Sequence, residues 1–348
     1  MKKNFIGKTF FRGAMSALML VMCAGAAAQD SYNLQLPAGG PDTPENRLIK
    51  LRDAMEDAVG ADKKAYILQE IGKTGTFQGM MYAGKYIDNQ DLGKAAAQAV
   101  AAIALQRPEY DGTNTRELLR KSMPLLKKKQ RKQVEKFLEQ PSAGPGFVSA
   151  FNGKDLTGWK GLVENPITRA KMSPDELLLK QVQADVRMRK DWTVVDGMIC
   201  FEGSGFDNLC TKKKYGDFEM YIDWLLDPPG PDAGIYLRGT PQVQMWDTSR
   251  VDVGAQVGSG GLYNNQKHES KPSQVADNKL GMWNSFYIKM TGDKVTVLLN
   301  GVKVVDNVVL ENYWDRNQPI FPVEQIELQA HGSKVYYRDI YIKGTPVD

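Results

Sequence analysis

The spacing of apolar residues changes near Phe147 from the period of a helix to the period of a strand. From 43 to about 140, apolar residues recur three and four positions apart, which is typical of amphipathic helices. Beyond this point, short segments alternate apolar and polar residues between turn signals such as Asn300-Gly301. The sequence therefore predicts a small all-α domain followed by an all-β domain.

The helical part, 43–140, begins at Thr43-Pro44-Glu45, a favourable start for a helix. Its short helices, with small residues such as the alanines of 95–97 where neighbours would touch, predict a HEAT-like solenoid segment. Modules of this type usually dock other proteins, and no catalytic motif is present in this one. We therefore expect a protein partner, if there is one, at the helical domain.

The linker at 141–146 is rich in proline and glycine, which cannot continue a helix. From 147 to 348, many short alternating strands without long intervening helices predict an antiparallel β-sandwich. One charged segment, 165–189, interrupts the strands. Ser173-Pro174-Asp175-Glu176 reads as a helix start, so this segment is expected to be a helical insertion at the edge of the sandwich.

The first 28 residues have the pattern of a secretory signal peptide, with a basic start, an apolar stretch and an Ala26-Ala27-Ala28 cleavage site. Residues 29–42 are polar and predict a flexible lead-in. Cys23 is disfavoured as a lipidation site because bulky Met22 precedes it. No later segment is apolar enough for a membrane span. An exported, periplasmic or extracellular protein is expected.

The net charge of +4 is small for 348 residues and gives no support for a nucleic-acid or membrane-surface role. After cleavage at 28, only Cys200 and Cys210 would remain. They flank a glycine-rich turn in what reads as a hairpin. Two interpretations are therefore open, a cross-strand disulfide or two reduced, buried thiols.

A row of polar side chains is predicted near the end of the chain. Read as a strand, 326–331 places Ile326 and Leu328 on one face, and Glu327, Gln329 and His331 on the other. His331 matters because the chain has two histidines, and the other, His268, lies in a polar loop where solvent exposure is expected.

The same alternation gives outward-facing residues on three further strands, and together with the row at 327–331 these would form one sugar-binding surface. The outward set is Glu219, Tyr221, Asp223, Tyr236, Arg238, Gln242, Gln244 and Trp246, and Asp247, directly after Trp246, is a further candidate for the site. Simpler roles are open for several members. Arg238 could pair with Asp223 or Glu219, and Trp246 could be a half-buried packing residue. Asp247 could cap the following loop.

An ordered set of motifs in 147–348 resembles the 3-keto-disaccharide hydrolase family. The set begins with Phe151-Asn-Gly-Lys-Asp-Leu-Thr-Gly-Trp159 and continues through Ala233-Gly-Ile-Tyr-Leu-Arg-Gly239 and Val243-Gln244 to Leu328-Gln-Ala-His-Gly332. This resemblance implies a concanavalin A-like jelly roll whose concave face carries a saccharide site. It also implies carbohydrate metabolism in the cell envelope.

The resemblance also implies a route of cleavage. Ordinary glycosidases use two nearby carboxylates, whereas this chain has amides at Gln242 and Gln244. A 3-keto sugar needs one base to remove the C2 proton, followed by elimination of the glycosidic oxygen and addition of water. We expect His331 or Asp223 as the base.

The enolate would be stabilised either by Arg238 or by a divalent cation bound to Asp223, Glu327 and His331, while Gln244 and Gln329 orient hydroxyl groups. Two rival functions are a non-catalytic carbohydrate-binding module and an envelope scaffold protein.

Overall fold

The structure is a computed structural model that describes residues 34–230 and 232–347. The predicted signal peptide at 1–28, Cys23 and the beginning of the lead-in lie outside these residues. No helix within the described ranges is long and apolar enough to cross a bilayer.

In the part of the chain that the structure describes, six α-helices precede the sandwich: α1 (Pro44–Glu56), α2 (Ala61–Thr74), α3 (Phe77–Gly84), α4 (Gly93–Gln106), α5 (Thr113–Ser122) and α6 (Lys128–Glu139). The predicted start is confirmed, because the Thr43 side chain accepts a hydrogen bond from the Asn46 backbone and Pro44 occupies the first turn. Alanine-rich α4 packs closely on α2. A Cβ at Gly72 would lie 2.9 Å from the Ala99 Cα. The helical domain is therefore observed, while its relation to HEAT repeats stays a prediction.

The rest of the chain forms an antiparallel sandwich of two sheets. Its strands are β1 (Val148–Ser149), β2 (Trp159–Gly161), β3 (Trp192–Val195), β4 (Met198–Phe201), β5 (Leu209–Thr211), β6 (Lys214–Leu226), β7 (Asp232–Leu237), β8 (Thr240–Trp246), β9 (Asn284–Thr291), β10 (Lys294–Leu299), β11 (Val302–Val309), β12 (Glu327–Leu328) and β13 (Val335–Val347). The large sheet has the order β11-β10-β9-β6-β13-β4-β3, with β1 also paired to β13. The small sheet has the order β2-β5-β12-β7-β8.

The core lies between the two sheets and follows the predicted alternation. Phe218, Met220, Ile222 and Trp224 of β6 point inward from the large sheet. From the small sheet, Ile235, Leu237, Val243, Met245, Ile326 and Leu328 enter the same core. The apolar members of each strand were thus identified correctly from the sequence.

Two local predictions are confirmed. The Asn300-Gly301 turn joins β10 to β11, with Leu299 opposite Val302. The insertion folds as α7 (Pro166–Arg169) and α8 (Pro174–Asp191), and the Ser173 hydroxyl caps α8 by accepting from the Glu176 backbone.

The predicted hairpin between Cys200 and Cys210 is wrong. Cys200 lies on β4 of the large sheet and Cys210 on β5 of the small sheet, so the intervening chain crosses from one sheet to the other. Both thiols are free and buried. The second alternative, two reduced cysteines packed as small apolar residues, is the one observed.

The helices cover the outer face of the large sheet. Phe77 of α3 stacks on Tyr221 of β6 at 5.6 Å and meets the Tyr341 ring edge-on at 5.3 Å. Buried Arg52 of α1 forms ion pairs with Asp223 at 2.8 Å and with Asp339 at 2.6 Å. The helices therefore bury Asp223 on the outer face of the large sheet, whereas they do not cover the outer face of the small sheet.

Candidate functional site

The outer face of the small sheet carries a continuous group of polar side chains. On β7 and β8 the outward positions are Asp232, Gly234, Tyr236, Gln242, Gln244 and Trp246, and the segment through β12 adds Glu327, Gln329 and His331. Strand pairing places Glu327 opposite Tyr236 and Gly234 opposite Gln244. Seven residues of the predicted saccharide surface therefore share this face: Tyr236, Gln242, Gln244, Trp246, Glu327, Gln329 and His331.

A histidine–aspartate pair lies at one end of this face. The Nδ1 atom of His331 is 3.0 Å from Oδ1 of Asp232, and the His331 side chain is 49% exposed. Because the carboxylate accepts a hydrogen bond, it favours the tautomer with the proton on Nδ1. That tautomer leaves the lone pair of Nε2 available to solvent or to a substrate.

Asp232 is the residue that sequence reasoning missed. It follows the Pro228-Pro229-Gly230 turn and was not assigned to a strand, although period-2 alternation from Tyr236 would have placed it on the same face. Its second oxygen, Oδ2, accepts from the Gln244 Nε2 at 3.4 Å. Asp232 thus connects the imidazole to the amide row.

Glycine at 234 makes room for that amide row. A Cβ there would lie 2.8 Å from Cδ of Gln242 and 2.9 Å from Oε1 of Gln329. Because Gly234 has no Cβ, the Gln242 amide can donate to the Gln244 side chain across the strand surface. The Gln329 Oε1 is buried and has no hydrogen-bond partner among the described residues, so it can accept from a ligand hydroxyl.

A cavity of about 250 Å³ opens beside β8, lined by Gln244, Trp246, Tyr263 and Lys271 among others. The Trp246 and Tyr263 rings meet edge-on at 5.5 Å. Trp246 is only 9% exposed, so it combines the packing role with a contribution to the cavity wall. Aromatic surface next to an amide and an ammonium group suits a sugar ring with its hydroxyls.

Glu327 lies further along the same face and is fully buried beside Asn208, whose Nδ2 is 3.5 Å away. Burial raises the pKa of Glu327 to about 7, although Arg169 and the Asn208 hydrogen bond oppose the rise. Burial, with a contribution from Glu327, also raises the pKa of Tyr236 to about 12. At about 3.3 Å per residue, Glu327 stands roughly 13 Å from His331, too far to act on the same proton.

Three residues of the predicted surface lie on the opposite side of the molecule. Glu219, Tyr221 and Asp223 are on β6 of the large sheet, beneath the helices. Asp223 is 1% exposed and accepts from Arg52 at 2.8 Å and from Gln78 at 2.6 Å. Their grouping with His331 was wrong because alternation within a strand does not reveal the sheet to which the strand belongs.

Arg238 is also absent from the group around His331. It directly follows β7, at the opposite end of the strand from Asp232, and its guanidinium donates to the Pro322 carbonyl at 3.0 Å and to the Gly292 carbonyl. Neither the predicted enolate contact nor the alternative ion pair with Asp223 or Glu219 is observed. Arg238 instead ties the rim of the small sheet to the β9–β10 turn.

The residues predicted to bind a divalent cation do not lie together, because Asp223 is separated from Glu327 and His331 by the sandwich core. Within 34–230 and 232–347, no three His, Cys, Asp or Glu side chains are grouped as a metal site. Asp247 caps its loop by accepting from the Ser249 backbone at 3.0 Å, and His268 is exposed beside Glu311. Asp247 therefore has the loop-capping role that was its alternative, and His268 is exposed as expected.

Comparison with known proteins agrees with the motif resemblance. A curated protein of Bacteroides thetaiotaomicron named 3-keto-disaccharide hydrolase is 25% identical over 108 residues, which cover 29% of this chain and 30% of that protein. This chain thus matches less than a third of that relative's length.

A candidate glycosyl hydrolase of Parabacteroides distasonis has a crystal structure that is 24% identical and covers 57% of this chain and 94% of its own, with a TM-score of 0.42. A second candidate glycosyl hydrolase from the same species is 21% identical, covers 54% and 99%, and has a TM-score of 0.37.

The decisive match is to a family. Residues 146–343, more than half of the chain and nearly the whole sandwich, match the family described as the 3-keto-alpha-glucoside-1,2-lyase-like domain. The chain belongs to the 3-keto-alpha-glucoside-1,2-lyase-like domain family.

Proposed function

We propose that the protein cleaves the glycosidic bond of 3-keto-glycosides at the outer face of the small sheet, with His331 as the base. The observation that carries this proposal is the His331–Asp232 hydrogen bond of 3.0 Å on the face that also presents Gln244. Family membership supports the substrate class, because both the family and the curated relative are named for 3-keto sugars.

The reaction balances without a redox step. Nε2 of His331 takes the proton from C2, which is acidic because C3 is a ketone. The electron pair of that C–H bond forms an enolate, the bond from C1 to the glycosidic oxygen then breaks, and the leaving oxygen takes the proton from the imidazolium. Addition of water to the resulting enone gives the free 3-keto sugar. The net change is hydrolysis, and the imidazole is regenerated.

The other side chains on this face would bind and orient the substrate and the imidazole. Asp232 holds the imidazole and favours the imidazolium that forms, while the amides of Gln244 and Gln329 pair with hydroxyl groups. Lys271 lines the cavity beside Gln244 and Trp246 and would supply a positive charge there. Two amides where a retaining glycosidase needs two carboxylates disfavour ordinary hydrolysis.

Replacement of His331 by alanine tests the proposal. We expect cleavage of a 3-keto-disaccharide to fall about 10²- to 10⁴-fold, the usual contribution of a positioned base. The measurement is release of free sugar by purified protein, with the unoxidised disaccharide as a second substrate. His268→Ala, which removes the chain's other, exposed histidine, is the matched control and should retain full activity.

Two outcomes contradict this assignment. Full activity of His331→Ala would remove His331 from the reaction. Binding of the 3-keto sugar without turnover by the unaltered protein would favour the non-catalytic carbohydrate-binding alternative.

Export is a second part of the proposal. It is supported by the basic start, the apolar stretch and the Ala26-Ala27-Ala28 site within residues 1–28. N-terminal sequencing of protein recovered from its native cells should begin at Gln29. An intact Met1 would contradict cleavage.

A further inference from the structure

A second cavity, of about 270 Å³, lies between the helices and the outer face of the large sheet. Glu45 of α1 and Arg107 and Tyr110 after α4 line it from the helical side. Glu219 and Tyr221 of β6 and Tyr287 of β9 line it from the sheet. The cavity is therefore separated from His331 by the thickness of the sandwich, and it exists only where the two parts of the chain meet.

Aromatic rings form much of its wall and are held firmly. The Tyr221 and Tyr287 rings lie 5.1 Å apart at 50°, and Phe147 is 4.9 Å from Tyr221. Phe77 stacks behind Tyr221 at 5.6 Å. Fixed ring surfaces of this type can pack on the C–H face of a pyranose at little cost in side-chain entropy.

The charges around the cavity are almost all paired. Lys343 forms an ion pair with Glu219 at 3.3 Å, and the Tyr287 hydroxyl donates to the same carboxylate at 2.7 Å. Arg107 is paired with Glu109. These pairs leave no free cation in the described lining to attract an anion.

Glu45 differs from the other charged groups of the lining. It is partly buried in the first turn of α1 and makes no ion pair among the residues that the structure describes. Its oxygens can accept from hydroxyl groups, and its charge opposes entry of a phosphate or carboxylate. The arrangement selects a neutral, hydroxyl-rich ligand.

We propose that this helix–sheet cavity binds one neutral sugar residue as a non-catalytic site. Its volume is slightly below the range of about 300–1,000 Å³ that accommodates drug-sized ligands, so it suits one sugar ring and not an oligosaccharide. The site would hold a saccharide against the helical domain while cleavage occurs on the other sheet. This proposal does not depend on the reaction assigned to His331.

Calorimetric titration of the full protein with glucose, galactose and glucuronate tests this site. We expect saturable binding of a neutral monosaccharide in the millimolar range and no binding of glucuronate. Leu298 of β10 lines the cavity, and Leu298→Trp should fill it and weaken binding at least tenfold. Val59→Trp adds the same ring at a position that is 89% exposed and should bind as the unaltered protein does.

A second variant tests the site even if Leu298→Trp fails to fold. Glu45→Gln keeps the shape but removes the charge, so it should weaken neutral-sugar binding several-fold and relax the rejection of glucuronate. His331→Ala should leave this binding unchanged. Absence of saturable binding, or binding lost in His331→Ala but retained in Leu298→Trp, would overturn the proposal. Cleavage at the small sheet is measured separately, by release of free sugar.

Discussion

Asp232 gives His331 an orientation that the imidazole alone would lack. The side chain of His331 is half exposed at the end of the small sheet, and its Nδ1 contact at 3.0 Å is the hydrogen bond that holds the ring. A base that must present one nitrogen to a C–H bond depends on such a partner, because the wrong tautomer cannot accept the proton.

Replacement of Asp232 by asparagine should therefore lower kcat on a 3-keto-disaccharide by about 10- to 100-fold, within the contribution of a positioned base, with a smaller effect on KM. The amide can still contact Nδ1 but cannot stabilise the imidazolium. Unchanged kcat would reduce Asp232 to a surface contact.

Glu327 is the other titratable residue on this face with a distinctive environment. Burial raises its pKa from 4.5 to about 7, so the folded protein binds a proton that the unfolded chain has released between these values. The stability contributed by Glu327 is then present below about pH 4.5 and is lost as the pH rises to about 7. At about 1.4 kcal/mol per pH unit, the total is on the order of 3 kcal/mol.

Glu327→Gln should remove this dependence, since a neutral amide does not titrate. Thermal unfolding from pH 4.5 to 8 should show the variant gaining stability relative to the unaltered protein as the pH rises. Parallel curves for the two proteins across this range would show that Glu327 is not buried as described.

At the scale of the element, helix α8 is anchored to β2 by a close backbone approach at Gly161. A Cβ there would lie 2.4 Å from the Ala184 carbonyl oxygen, and Asp185 accepts a hydrogen bond from the Gly161 backbone at 2.9 Å. The insertion is therefore fixed against one edge of the small sheet.

Gly161→Ala should destabilise the protein by about 1–3 kcal/mol, the usual cost of overpacking, and loosen α8. Urea unfolding measures the first effect and hydrogen exchange across α8 the second. Gly216→Ala in β6 is the matched control, because its added Cβ would lie 3.4 Å from the Pro322 carbonyl oxygen, an ordinary van der Waals contact. Equal losses in both variants would exclude a special role for the α8 contact.

At the scale of the whole molecule, Arg52 joins the helices to the sandwich. Burial by itself lowers the pKa of Arg52, but Asp339 and Asp223 outweigh this and raise it, so the guanidinium remains charged in the interface. The same contact buries Asp223 and keeps it from any role as a base.

Arg52→Met should cost about 3–5 kcal/mol, because it removes the nearest cation from two buried carboxylates, Asp223 and Asp339. The ion pairs that these carboxylates keep, with Arg338 and Lys85, are longer, at 3.4 Å. Arg47→Met on the same helix removes a half-exposed cation from Glu70, which keeps its ion pair with Lys73, and should cost at most about 1 kcal/mol. Chemical unfolding followed by circular dichroism compares the two. A loss in Arg52→Met no larger than that of the control would mean that this ion-pair group does not hold the helices to the sheet.

The sequence by itself determined the two folding classes, the position of the change near Phe147, the Asn300-Gly301 hairpin and the inward side of strands such as β6 and β8. It also placed Gln329 and His331 on the outward side. These features are local, because apolar periodicity and turn chemistry act over a few residues.

The tertiary structure alone decided which outward faces share a surface. Glu219, Tyr221 and Asp223 alternate in the same way as Gln242 and Gln244, yet β6 joins the sheet that the helices cover. Cys200 and Cys210 likewise lie apart because their strands, β4 and β5, belong to different sheets. Strand pairing and the docking of one layer on another are long-range contacts, and the period of a single strand contains no information about them.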